Sequence, residues 1–150
     1  MSLQRIFDSL QTLFVTHNLK GLFMTRDNIS VQYPKIENTQ SVATAKITKD
    51  TVVQANGVCI EKAFANKNNS LTICIENTST SASEITFKAG DNFPNAKLGD
   101  LKLDVEASSI NVFQFQDLSR FENKDGSINI DFKSGFTGTI FAVAKSVEIE

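Results

Sequence analysis

From Val42 onward, apolar and polar positions alternate with a period of two, in short runs broken by turn residues. Val42-Ala43-Thr44-Ala45-Lys46-Ile47 and Thr51-Val52-Val53-Gln54 predict strands on either side of Lys49-Asp50. Asn56-Gly57 predicts a turn before Val58-Cys59-Ile60. Leu71, Ile73 and Ile75 share one strand face, with Thr72, Cys74 and Glu76 on the other. Beyond a polar loop at residues 77–83, Ile85, Phe87 and Ala89 face inward, and this strand is expected to pair antiparallel with the preceding one. Residues 91–97 read as an exposed loop, followed by a strand that buries Leu101, Leu103 and Val105. In Ile110-Asn111-Val112-Phe113-Gln114-Phe115 the apolar phase slips by one between Val112 and Phe113. A β-bulge, or a strand passing between sheets, would produce that slip. Asn123-Lys124-Asp125-Gly126 is a tight turn, after which Ile128, Ile130 and Phe132 point inward. The last run, Thr139 to Ala144, is apolar on both faces and predicts a central strand. Roughly eight or nine short strands at this spacing predict an all-β fold, an antiparallel β-sandwich of Ig-like or jelly-roll-like kind.

A different period governs the beginning of the chain. Leu3, Ile6, Phe7, Leu10, Leu13 and Phe14 fall at i, i+3, i+4, i+7, i+10 and i+11, one stripe of an amphipathic α-helix over residues 3–16. Ser2 is an acceptable N-cap, and Asn18 or Gly21 would end the helix. Ile29, Val31 and Tyr33 alternate as a strand that Pro34 stops, and Ile36 to Ser41 has neither period. The expected organisation is an N-terminal helix and connecting arm over residues 1–41, then the sandwich over residues 42–150. Two readings of the stripe stay open: it packs on its own domain, or it meets other copies of the chain or a larger surface.

Composition narrows the function classes. The chain has 150 residues, 41% of them hydrophobic, which suits a packed core. Its aromatic residues are Phe 12, Tyr 1 and Trp 0, so the side chains that commonly stack on sugars and anchor interfaces are nearly missing. A net charge of -2 leaves no basic footprint for nucleic acid. No apolar run has the length of a membrane span, and the first residues lack the features of a signal peptide, so synthesis in a cytosol is expected. Cys59 and Cys74 each sit in an apolar run and read as small hydrophobes, with a disulfide between them left open. The one histidine, His17, lies at the end of the predicted helix. Neither a hydrolytic constellation nor a phosphate-binding glycine loop is present. The acidic residues fall at turns or outward strand positions, and no metal or cofactor site is expected.

One resemblance adds to this reading. Ile85-Thr86-Phe87-Lys88-Ala89-Gly90-Asp91-Asn92-Phe93-Pro94-Asn95-Ala96, followed by Leu98-Gly99-Asp100-Leu101, resembles part of a family of tailed-bacteriophage virion proteins built as small β-sandwiches. The likeness continues through Leu118-Ser119-Arg120-Phe121, Asp125-Gly126-Ser127-Ile128-Asn129-Ile130-Asp131-Phe132 and Gly138-Thr139-Ile140, and covers about residues 50–145. In that family Arg-Phe ends one strand, Asp-Gly makes a hairpin turn and Gly-Thr-Ile begins the final strand. The first forty residues do not match. The resemblance implies a capsid decoration or head-fibre protein, non-enzymatic and without cofactors. Its expected place is the capsid surface of the virion, its expected partners the major capsid protein and further copies of itself. No nucleic acid or membrane partner is expected. On this reading Leu3, Ile6, Phe7, Leu10, Leu13 and Phe14 carry docking or self-association, and the sandwich faces outward. The alternatives are a neck, tail, baseplate or fibre component, or a host-surface adhesion module.

Overall fold

A computed structural model describes residues 25–36, 43–64, 71–91, 95–115 and 117–144. Within them the period-two runs become β1 (Asp27–Gln32), β2 (Lys35–Ile36), β3 (Ala43–Thr44), β4 (Asp50–Thr51), β5 (Val58–Glu61) and β6 (Thr72–Asn77). They continue with β7 (Ser83–Phe87), β8 (Leu101–Val105), β9 (Ser109–Gln114), β10 (Ile128–Phe132) and β11 (Gly138–Val143). A single helical turn spans Asn95–Leu98 and a 3-10 turn spans Ser119–Phe121. The described chain is therefore nearly all β, as the alternation predicts. The helix expected over residues 3–16 lies outside the described residues.

Nine strands form one strongly bent sheet in the order β8-β7-β10-β5-β1-β11-β6-β9, with β4 added to β11, while β2 and β3 pair separately. The sheet rolls into a near-barrel of two layers. The first layer is β8-β7-β10-β5-β1 and the second is β1-β11-β6-β9. They share β1, whose residues Asp27–Ser30 pair with β5 and whose residues Val31 and Gln32 pair with β11. Both pairings are parallel, and the other pairings of the sheet are antiparallel. The expectation of a wholly antiparallel sandwich is corrected at this one strand. Tight hairpins impose antiparallel direction, and β1 reaches both partners through long connections. The strand that the pattern assigns to the arm thus lies inside the nine-stranded sheet, with Ile29 buried and Val31 packed against the core.

Alternation does the rest. Ile60, Ile73, Ile75, Ile85, Phe87, Ile128, Ile130, Ile140 and Ala142 all point between the layers into one cluster. Where β8 and β9 stand at the two free ends of the sheet, Phe87 meets Phe113 and Phe115 edge-on at 5.6 and 5.0 Å, a favoured aromatic geometry. Ser108 ties the β8–β9 turn down by donating its N–H and hydroxyl to the Ser79 carbonyl, at 2.9 and 3.3 Å.

Four local expectations change. First, β6 and β7 do not pair: β6 lies between β11 and β9, and β7 between β10 and β8. The fully buried Asn77 directs the intervening loop. Its Nδ2 donates to the Ser81 carbonyl and its Oδ1 accepts from the Ser79 N–H, both at 3.0 Å, so the chain crosses between layers and does not fold back. Second, β9 holds unbroken register with β6 from Ser109 to Gln114, so the phase slip marks no bulge. Third, the loop expected over residues 91–97 runs into the helical turn at Asn95–Leu98. Arg120 caps that turn, donating to the carbonyls of Leu98, Gly99 and Asp100. Fourth, the runs at 42–47 and 51–54 shrink to β3 and β4. The Gln32 side chain takes the place of a strand partner, its amide donating to the Thr48 carbonyl and accepting from the Thr48 N–H.

Residues 88–90, 98–100 and 119–121, drawn from three of the segments quoted for the resemblance, meet in one corner. Asp100 accepts from the Ala89 N–H at 2.8 Å and pairs with Lys88. Gly90 donates its N–H to the Arg120 carbonyl at 3.0 Å, and Arg120 lies over the Phe121 ring. Ser119–Phe121 is here a 3-10 turn and not the end of a strand.

Candidate interaction surface

Each strand of the second layer has one face in the core, and the opposite face decides what the molecule shows outward. Register aligns the outward residues of β9, β6 and β11 in three rows: Ile110–Glu76–Thr139, Val112–Cys74–Phe141 and Gln114–Thr72–Val143. In the first row Glu76 accepts from Thr139 at 2.9 Å and pairs with Lys49 at 2.8 Å. Those two bonds, Lys49's first, hold the Glu76 carboxyl below its ordinary range. In the third row Gln114 donates to the Thr72 hydroxyl at 3.0 Å. The middle row is apolar throughout, and Ile110 and Val143 extend it diagonally.

This face is only partly hidden. Ile110 and Val112 remain 53% and 59% exposed, whereas Cys74, flanked in register by Val112 and Phe141, keeps 8%. That burial pushes the Cys74 thiol pKa up. Full burial of an aliphatic side chain of this size is worth about 1.5–3 kcal/mol, so the two side chains on β9 forgo much of that until something covers them. A central position in the sheet supplies β11 with partners on both edges. It does not account for Phe141 and Val143, whose side chains point away from the core.

The first layer is the opposite case. Its outward residues are Lys102, Thr86 and Asp131 in one row and Asn129, Cys59 and Asn28 in another, with Glu84, Asp104, Ser30 and Glu61 beside them. Salt bridges link Lys102 with Glu84 and Arg26 with Asp131. The molecule therefore has a polar face and an apolar face on opposite sides. Cys59 and Cys74 point outward from different layers, are both free thiols, and do not bridge.

A cleft of about 470 Å³ lies on the polar side, lined by Asn28, Cys59, Glu61, Lys62, Asp125 and Ser127. Its carboxylates serve local structure. Glu61 accepts from Asn28 at 2.8 Å. Asp125 accepts from the Ser127 hydroxyl and N–H at 2.6 and 3.0 Å, which holds its carboxyl below the ordinary range. Asp91 likewise accepts from the Lys124 N–H. Among the described residues, no three His, Cys, Asp or Glu side chains come together so as to hold a metal ion.

Leu3, Ile6, Phe7, Leu10, Leu13 and Phe14, the expected partner-binding residues, lie outside the described residues, as does His17. The apolar residues on the second layer were marked in the sequence only indirectly. The slip between Val112 and Phe113 and the two-sided run at Thr139–Ala144 are the trace of outward apolar positions on neighbouring strands. Compared with protein-family models, curated proteins and solved structures, the chain matches none.

Proposed function

We propose that the protein is a non-enzymatic structural protein of a tailed-bacteriophage virion, binding the outer surface of the capsid as a decoration protein. The observation that carries this reading is the contrast between the two outward faces. An apolar row of Val112, Cys74 and Phe141 on one side suits a protein neighbour, and a charged, hydrogen-bonded surface on the other suits solvent. The resemblance over about residues 50–145 supplies the particle, and with it the major capsid protein as partner, a homo-oligomeric arrangement and an Ig-like or jelly-roll-like sandwich. No cofactor, nucleic acid or membrane enters this function. Burial of a preformed apolar surface at subunit junctions would stabilise the shell by mass action.

Quantitative mass spectrometry of purified virions tests the reading. On the order of hundreds of copies per particle is expected for a decoration protein, and about three to twelve would instead favour a neck, tail or baseplate component. Absence from the particle sinks both. An adhesion module would bind host-surface glycans, for which the scarcity of Trp and Tyr offers little support.

A further inference from the structure

The turn before β5 joins the two residue types between which backbone attack on a side-chain amide is easiest. We propose that Asn56–Gly57 is a site of spontaneous modification: the Asn56 amide is converted to a carboxylate in the folded protein, and the seat of β1 is loosened as a result. Neither step depends on the capsid assignment.

The fold demands both residues. Gly57 has a φ of 68°, and a Cβ there would stand 2.5 Å from Arg26 Nη1 and 2.9 Å from Asp131 Oδ1, so a side chain is excluded on two grounds. Asn56 donates its Nδ2 to Asp27 Oδ1 at 2.9 Å, while Asp27 Oδ2 is buried without a hydrogen-bond partner. Among the described residues that carboxylate thus leans on one donor, the Asn56 amide. The charges nearby are engaged elsewhere: Arg26 pairs with Asp131 and donates to the Ile130 carbonyl, and Lys88 lies 3.9 Å from Asp131.

The backbone leaves the reacting nitrogen unbound. Asn56 donates its N–H to the Val53 carbonyl at 2.9 Å, and the Gly57 carbonyl accepts from the Asp27 N–H at 3.1 Å, but the Gly57 N–H donates to none of the described residues. Once its proton passes to water or hydroxide, that nitrogen attacks the side-chain carbonyl carbon of Asn56. The new C–N bond closes an imide ring, the Cγ–Nδ2 bond breaks, and the nitrogen leaves as ammonia with a proton from water. A second water opens the imide at either carbonyl, giving aspartate or isoaspartate, so the conversion consumes only water. Glycine puts no Cβ in the path of ring closure, and asparagine is among the thermally labile residues.

Either product damages the same joint. A carboxylate at position 56 removes the donor of Asp27 and sets two like charges within hydrogen-bonding distance, in partly buried surroundings. Isoaspartate also adds a methylene to the backbone just before Gly57, whose carbonyl holds the Asp27 N–H. Asp27 with Val58 is the first rung of the β1–β5 ladder, and β1 is the strand that the two layers share. Modification of this turn therefore loosens the sheet where its layers join.

Ageing the full chain tests this. The folded protein is kept warm at mildly alkaline pH and mapped by mass spectrometry, with isoaspartate counted by enzymatic methylation. Conversion at position 56 is expected, together with aged molecules that unfold at lower urea than fresh ones. Asn56→Gln, whose longer side chain closes its ring far more slowly, should keep its own fresh midpoint through the same treatment. Asn56→Asp, made directly, should raise the unfolded-to-folded ratio at a given urea concentration on the order of tenfold. Asp27→Asn combined with Asn56→Asp should recover most of that loss, because donor and carboxylate are then restored in exchanged places. An amide that persists at position 56 after a free peptide of residues 51–61 has converted overturns the proposal. So does an aged chain, or an Asn56→Asp chain, as stable as fresh wild type, and so does an exchanged pair that recovers nothing.

Discussion

At the scale of single residues, a few polar contacts and one glycine decide where the chain turns. Gly90 packs against the backbone of Glu122, and a Cβ there would stand 1.9 Å from the Glu122 carbonyl oxygen. Backbone cannot swing aside as a side chain does, so Gly90→Ala is expected to cost about 1–3 kcal/mol, read as a lower urea midpoint with unchanged slope. Asn77→Ala removes the side chain that steers the crossing from β6 to β7 and strips the Ser79 N–H of its acceptor, with an expected loss of about 1–3 kcal/mol. Acid acts through several carboxylates at once. Glu76 is held down by Lys49 and Thr139, Asp100 by Lys88 and the Ala89 N–H, Asp117 by Ser119 and Asp125 by Ser127. A folded pKa below the unfolded one adds stability that is complete above the unfolded value and lost as pH falls through the folded one. Thermal melts should therefore hold steady from pH 7 to about 5 and drop below about pH 4; a melting temperature that rises on acidification would contradict these assignments. The partners of Glu76 and Asp100 and the close approach at Gly90 could not be read from the sequence, because each joins groups far apart in the chain that only the fold brings together. What was legible was turn chemistry, as at Gly126, whose φ of 77° is the left-handed value that an Asp-Gly turn predicts.

At the scale of elements, the alternation identified the core strands with their inward sides: Ile73 and Ile75 in β6, Ile85 and Phe87 in β7, Ile128, Ile130 and Phe132 in β10. Pairing was less visible. Period two tells which residues share a face but not which strand lies alongside, and the nearest strand in sequence was the wrong partner for β6. β1 shows the same limit. Its Ile29 and Val31 signal a strand, yet nothing local reveals that two layers share it. Truncation separates its role from that of the stretch before it. Removing residues 1–24 should leave a cooperative β-structure transition by circular dichroism, and removing residues 1–33 should abolish it, because the ladders to β5 and β11 are lost together. Equal stability of the two truncated chains would show that β1 is dispensable.

At the scale of the whole molecule, the two layers present unlike surfaces. The phase slip at Val112–Phe113 makes sense only here: Phe113 continues the inward series, while Ile110 and Val112 belong to an outward apolar set that crosses β6 to β11. A reading strand by strand takes two-sided apolarity for a bulge or a central position. The rows become visible once three strands are in register. Ile110→Lys with Val112→Lys should change folding stability by no more than about 0.5 kcal/mol, as surface substitutions do, while abolishing association in light scattering. Ser30→Lys, on the polar side, should leave the molecular mass unchanged.

The parallel bridge made by β1 also bears on how the molecule comes into being. Val31 aligns with Ala142, so its partner emerges from the ribosome roughly 110 residues later, about 5–20 s at ordinary rates of synthesis. Until then the early strand has β5 to pair with and an open flank on its other side. Closure must wait until β11 has been made, and contacts so distant in sequence predict refolding in milliseconds to seconds, not microseconds.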